Sequence, residues 1–191
     1  MGSITLHSNS KNVTRILFVG RLDRQKQPLM LLAVAKEVVK RYPYTIFTIV
    51  GDGEQYMECK DYIYNNSLYN NVFLAGWQNN VQSYYKSHDI FIMTSIYEAF
   101  GLIFLEAGFH HLPTVATAVE GIPEVVLHGK TGLLSSPNDI PAMIANVCFL
   151  IEHQDVRKRM GDDAFYFVTQ KFTSDIMVKR YRQLYEHYKK K

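Results

Sequence analysis

The sequence predicts an α/β fold, a Rossmann-like, doubly wound parallel sheet that ends in a C-terminal helical tail. Three observations predict it. Short apolar runs recur with continuous rather than alternating hydrophobicity, as in strands buried on both faces. Segments of helical periodicity separate those runs. Beyond Leu134 the runs stop and only helical stretches follow.

Residues 16–19 make the first strand, which stops at Gly20. Pro28 suits the first turn of a helix, and Leu31, Val34, Ala35 and Val38 follow at i, i+3, i+4 and i+7. The next apolar runs are Thr45–Val50, 72–75, Ile90–Met93 and 114–116, with helices expected at 54–66 and 81–87. The tail is expected to hold helices at Ile140–Glu152, 156–170 and Ser174–Lys189. In such a sheet ligands bind at the carboxyl ends of the strands, so the chemistry is expected in the loops that follow them.

Composition limits what the chain can be. Of its 191 residues, 47% are hydrophobic and 20% charged, the balance of a globular domain with a proper core. No apolar run approaches the roughly 20 residues that span a bilayer. Residues 1–12 read as a leader or an expression remnant, expected to be disordered, with 13–191 forming one domain. The opening has neither the basic region nor the apolar core of a signal peptide. Cys59 and Cys148 have no paired spacing, which disfavours a disulfide scaffold and a cysteine metal site and fits a reducing compartment. A net charge of +3 is too small to argue for nucleic acid. Lys179, Arg180, Arg182 and Lys189 to Lys191 gather near the end, and read as a solvated helix face.

Four loops carry candidate chemistry. After the first strand comes Gly20-Arg21-Leu22-Asp23-Arg24-Gln25-Lys26. Gly20 allows a sharp turn and close approach to a ligand. Arg21 and Lys26 offer a forked donor and a point charge that can hold a diphosphate without a metal. Alone, the loop reads more readily as two surface cations. Gly51-Asp52-Gly53-Glu54 resembles the opening of a dinucleotide fingerprint, but Tyr56 stands where a third glycine belongs, so it is read as a tight turn. The segment from Thr94 to Glu106 places only apolar residues and glycine between Glu98 and Glu106. A helix starting near Phe100–Gly101 leaves Glu98 in the loop ahead of it. Glu106 then aligns with Leu102, Leu105 and Phe109 on an apolar face, where an unpartnered carboxylate would cost several kcal/mol to bury. A ligand with hydroxyl donors would account for it, as would an internal Arg or Lys. The last loop, Thr117 to Glu124, has Gly121 for close backbone approach and Pro123 in a helix's first turn, and alone says little.

Together these pieces resemble the large retaining GT-B glycosyltransferase family that includes bacterial mannosyl- and glucosyltransferases, sucrose synthase and bacterial glycogen synthase. The resemblance rests on Val19-Gly20-Arg21-Leu22 with Lys26, Val50-Gly51-Asp52-Gly53, Glu98-Ala99-Phe100-Gly101 with Glu106-Ala107, Pro113-Thr114-Val115-Ala116-Thr117, Gly121-Ile122-Pro123-Glu124 and Gly129 to Leu134. It implies a nucleotide-sugar-binding domain, one half of a GT-B fold, with the N-terminal acceptor domain absent, either a truncation or a split subunit. The tail from Phe172 to Tyr188 resembles the segment that returns to that missing domain. By resemblance, Arg21 and Lys26 bind the donor diphosphate, Glu98 contacts the transferred sugar, and Glu106 holds the ribose. Gly20 lies in the diphosphate loop, and backbone N–H groups of Phe100, Gly101 and Leu102 meet the phosphates. The base lies near Gly76-Trp77-Gln78, although Trp77 also reads as packing. The implied reaction is configuration-retaining transfer to a glycan or lipid-linked acceptor, without metal or cofactor, and with little transfer by the isolated domain. A GT-B-like nucleotide-sugar epimerase and a non-catalytic nucleotide-sugar-binding module are the alternatives. The implied location is the cytoplasm, or the inner face of the cell membrane for a lipid acceptor. Two departures stand out. Glu120 takes the place of a usual second glycine beside Gly121. His110-His111 stand where the family often ends its helix with a small residue and glycine, and they read as a cap or core pair rather than a metal site.

Overall fold

The structure, a computed structural model, describes residues 13–189. Six parallel strands make one sheet, β1 (Thr14–Val19), β2 (Thr45–Val50), β3 (Val72–Gly76), β4 (Ile90–Met93), β5 (Thr114–Thr117) and β6 (Gly132–Ser135). Their spatial order is β3-β2-β1-β4-β5-β6. The order reverses between β1 and β4, which leaves a crevice above the carboxyl ends of those two strands. The α/β expectation is met.

Among the described residues eight helices follow the alternation, α1 (Pro28–Arg41), α2 (Tyr56–Asn65), α3 (Gln82–Ser87), α4 (Leu102–Phe109), α5 (Ile122–Val125), α6 (Ile140–Glu152), α7 (Gln154–Lys171) and α8 (Ser174–Lys189). The apolar stripe of α1 is fully buried at Leu31, Val34, Ala35 and Val38. Helix α1 packs against α2 and α6, and α4 packs against α7. Right-handed crossovers put these two groups on opposite faces of the sheet. Every residue of β4 and β5 is buried, as strands covered on both sides must be.

Two elements differ from expectation. Strand β6 pairs with β5 from Thr114↔Gly132 to Thr117↔Ser135; it was not among the five expected strands, although it ends close to Leu134, the expected limit of the strand region. Its apolar content is Leu133 and Leu134 alone, too short a run to read as a strand without its partner. Helix α8 forms as expected but has no buried residue, and Met177, Tyr181, Leu184, Tyr185 and Tyr188 are all exposed. Cys59 and Cys148 are single buried thiols, and burial pushes Cys59 up to about 11. Among the described residues no helix is long and apolar enough to cross a membrane. The leader at 1–12 and the last two lysines of the basic cluster lie outside the described residues.

Candidate functional site

The crevice is built from the loops that follow β1, β2, β3 and β4. Strands β1 and β2 run in register to Val19↔Val50, so their loops leave the sheet side by side. The Gly20 N–H donates to Val50 O at 3.0 Å, and Leu22 N–H to Asp52 O at 2.9 Å. A Cβ on Gly51 would lie 1.9 Å from Gly20 O, so only glycine fits there. Gly20 differs: a Cβ would meet nothing nearer than Phe18 at 3.5 Å. The fold itself does not require glycine at position 20.

Asp23 shapes the rest of this loop. Its carboxylate accepts from Lys26 N–H at 3.0 Å, and its carbonyl accepts from Gln27 N–H at 3.1 Å. Just beyond β4, the Thr94 hydroxyl lies 2.8 Å from Lys26 O and 3.0 Å from Gln27 O, and donates into that pair of carbonyls. The Lys26 backbone is thereby tied to the neighbouring strand. Its side chain, 12% exposed, forms an ion pair with Glu98, 14% exposed. Arg21 is disposed differently. It is 68% exposed, and its guanidinium reaches Asp23 at 3.0 Å and Gln25 at 3.2 Å. The two cations expected to act together thus lie on one loop, both in ion pairs, one sheltered and the other exposed.

Backbone contacts hold Glu98 in place. Ile96 N–H donates to Gln25 O at 2.9 Å, and the Gln25 amide donates to Tyr97 O at 3.0 Å. Gly121 N–H donates to Glu98 O at 3.1 Å, while a Cβ on Gly121 would stand 2.2 Å from Ala99 O. Gly121 thus makes the close backbone approach expected of it, here to the chain's own 98–100 segment. Gly101 caps α4 in the left-handed conformation (φ 76°, ψ 72°) with no side-chain capping bond; Phe104 N–H turns back to Gly101 O at 3.0 Å, and the N–H groups of Leu102 and Ile103 ahead of it have no side-chain cap. Phe100 packs edge-on to Phe172 with centroids 5.7 Å apart, and Leu102 is exposed.

Glu106 requires a correction. It lies in line with Leu102 and Phe109, but this face of α4 is open, and Glu106 is exposed. The buried face of α4 is Phe104, Ala107 and Gly108. The carboxylate's partner is neither an internal Arg nor Lys: Tyr85 Oη donates to Glu106 Oε2 at 3.0 Å. Among the described residues the one buried arginine, Arg157, donates instead to Leu150 O at 3.1 Å.

Two cavities open along the crevice. One, of about 360 Å³, is lined by Gly20, Arg21, Gly51, Trp77, Gln78 and Asn79 among others. The second, of about 680 Å³, is lined by Asn79, Asn80, Gln82, Tyr85, Glu106 and His110 among others. Asn79 and Val81 line both, so the two adjoin. Trp77 is 72% exposed at the first, a wall rather than core packing. A third, apolar groove of about 560 Å³ runs between the start of α4 and α8, past Phe100, Leu102, Met177, Tyr181 and Leu184.

Sequence reasoning missed Thr94, Gln25, Asn79 and Tyr85. Burial pushes the Tyr85 phenol well above its ordinary value, and the charge of Glu106 adds to the shift. His110 stacks on Tyr85 with centroids 5.5 Å apart. Burial, then Lys86, lowers the His110 pKa. The departures from the family pattern have backbone explanations. Glu120 (φ 40°) and His111 (φ 59°) are both left-handed, the conformation glycine adopts freely. His111 ends α4 in a Schellman turn, with its N–H on Gly108 O and Leu112 N–H on Ala107 O, both at 3.0 Å. This is the cap role expected of the histidine pair.

Comparison with known proteins agrees with this architecture. The family described as Glycosyl transferases group 1 matches residues 7–165. N-acetyl-alpha-D-glucosaminyl L-malate synthase of Bacillus anthracis is 31% identical over 72% of this chain and 36% of its own length. UDP-Gal:alpha-D-GlcNAc-diphosphoundecaprenol alpha-1,3-galactosyltransferase of Escherichia coli is 34% identical over 66% of this chain and 33% of its own. Among solved structures, TarM superposes with a TM-score of 0.85 at 24% identity, covering 90% of this chain and 35% of TarM, a likeness of fold. The chain spans between about a third and a half of the length of the curated relatives it matches.

Proposed function

The chain belongs to the glycosyl transferases group 1 family, and from that premise we propose that it is the donor half of a glycosyltransferase, binding a nucleoside diphosphate sugar in the crevice above β1 and β4. The Lys26–Glu98 ion pair beside the open N-terminus of α4 carries this reading. It places a cation for the diphosphate next to a carboxylate for the hydroxyls of the transferred sugar. Arg21 and Lys26 hold the diphosphate together with backbone N–H groups of residues 100–102. The nucleoside then lies along the adjoining cavities, its base toward Trp77 and Gln78 and its ribose toward Glu106. Gly20 supports this placement, since the fold leaves room for a side chain there and a ligand would take it up.

In this reading transfer retains the anomeric configuration. The departing phosphate accepts the acceptor's proton, and the two cations and the helix terminus stabilise the charge it gains. Those groups stand in for a metal ion, so none is required. Glu98 contacts the sugar beside its anomeric carbon, and no covalent nucleophile is invoked. The donor is a hexosyl nucleotide and the acceptor a glycan or lipid-linked glycan, in keeping with the name of the Escherichia coli galactosyltransferase, whereas the Bacillus anthracis relative is named for L-malate. A second, N-terminal half holds that acceptor and covers the α8 groove, so the chain alone binds donor but transfers little. A lipid-linked acceptor would bring the enzyme to the cytoplasmic face of the membrane.

Calorimetric titration with UDP, GDP and ADP, with and without magnesium, tests the proposal. One nucleotide is expected to bind preferentially and independently of magnesium. Lys26→Ala and Arg21→Ala should each weaken it roughly tenfold or more, as loss of a charged hydrogen bond does. Binding that requires magnesium, or that survives Lys26→Ala undiminished, would refute it.

A further inference from the structure

Glu106 sits on the exposed side of α4, where a flexible glutamate samples several rotamers and loses entropy when a ligand fixes it. Among the described residues one side-chain hydrogen bond holds it. Tyr85 is 1% exposed and among the largest fully buried side chains of the molecule. Its ring is fixed on two sides, tilted against Phe91 with centroids 5.9 Å apart and stacked on His110 at 5.5 Å. The hydroxyl donates to Glu106 Oε2 at 3.0 Å. Packing alone does not call for this hydroxyl, because phenylalanine would fill the same space and a buried hydroxyl is costly unless bonded. Burial holds the phenol protonated, so it acts as a donor at every working pH. It uses one lone pair of Oε2, leaving Oε1 and a second lone pair of Oε2 to accept from a vicinal diol.

We propose that Tyr85 is a positioning residue for the nucleotide: its buried hydroxyl selects the Glu106 rotamer that accepts from the two ribose hydroxyls. This rests on the reading of Glu106 as the ribose acceptor. Tyr85 helps to line the cavity but is 1% exposed, so it presents almost no surface of its own to a ligand there. It makes Glu106 a preorganised acceptor, so its effect on binding passes wholly through that carboxylate.

The test is calorimetric titration with UDP, GDP and ADP beside their 2′,3′-dideoxy analogues, on wild type, Tyr85→Phe, Glu106→Ala and the double variant. Wild type is expected to favour the ribose form of its nucleotide. Tyr85→Phe should lose roughly fivefold to tenfold in affinity for that form and less than about twofold for the dideoxy form, within the range of one hydrogen bond. In the Glu106→Ala background Tyr85→Phe should add no further loss, since the two residues act in series. A general packing defect would weaken both nucleotides equally. Equal losses for both forms, or a Tyr85→Phe effect that persists without Glu106, would overturn the proposal. Wild type that binds ribose and dideoxy forms alike, or binds none of them, would overturn the ribose reading and this proposal with it.

Discussion

At position 120 a glutamate occupies a left-handed backbone (φ 40°) with its side chain exposed. An L-residue bears a steric penalty there of about 1–2 kcal/mol, and glycine does not. Glu120→Gly is therefore expected to stabilise the chain by about 0.5–1 kcal/mol after the added freedom of the unfolded state is subtracted. Thermal unfolding should show Tm rising by a few degrees; a fall would mean that Glu120 makes a contact outweighing its strain. His111 has the same backbone but an offsetting partner set, stacked on Phe165 at 4.2 Å and bonded to Asp162 Oδ1 at 2.8 Å. Single positions also mark what the sequence could not disclose. Lys26 and Glu98 were each legible as binding groups, but 72 positions separate them in the chain, and only the fold makes them a pair. The helical wheel placed Glu106 correctly among apolar neighbours. It could not reveal that this face is uncovered. Tyr85 lay beside Tyr84 in a six-residue helix with nothing to distinguish them; one is buried, and its hydroxyl reaches the site.

Among the elements, α4 bears on the site most directly, and its position depends on α7. The two helices meet where glycine permits. A Cβ on Gly161 of α7 would lie 2.0 Å from His111 O, and one on Gly108 of α4 would lie 2.8 Å from Val168. Helix propensity alone would have Gly161→Ala stabilise α7 by about 1 kcal/mol. The close packing reverses that sign. Gly161→Ala is expected to cost about 1–3 kcal/mol by overpacking, read as a lower denaturation midpoint with an unchanged m value. A gain in stability would show that α7 stands off from α4 in solution. The strands were legible because full burial leaves continuous apolar runs, and the α1 stripe because it points at the sheet. Strand β6 escaped notice because its short apolar core needs β5 beside it to be recognised.

For the molecule as a whole, the alternation of strand and helix was enough to predict a doubly wound sheet, although not the order of its strands. The family reading held because its motifs occur in sequence along that alternation. What the sheet cannot stabilise is α8, which buries no side chain and shows an apolar face of Met177, Tyr181, Leu184 and Tyr188. Helices without tertiary packing are marginal in water. Amide hydrogen exchange in α8 is therefore expected to be at least about a hundredfold faster than in α1, whose apolar stripe is fully buried. Comparable protection of both helices would mean that α8 is already covered, by self-association or otherwise.

The unequal shelter of Arg21 and Lys26 separates arrival from departure. Lys26 is already neutralised by Glu98, so its field beyond the crevice is weak. Arg21 is paired with Asp23 but 68% exposed, so in the proposed reading its guanidinium is the first that an approaching diphosphate meets. Its pull weakens as salt rises, because an open charge is screened within a Debye length. In the proposed reading the diphosphate reaches Lys26 only afterwards, by exchanging places with the Glu98 carboxylate already in contact with it. Encounter speed then depends on the open arginine, and residence time on how readily Glu98 reclaims its lysine.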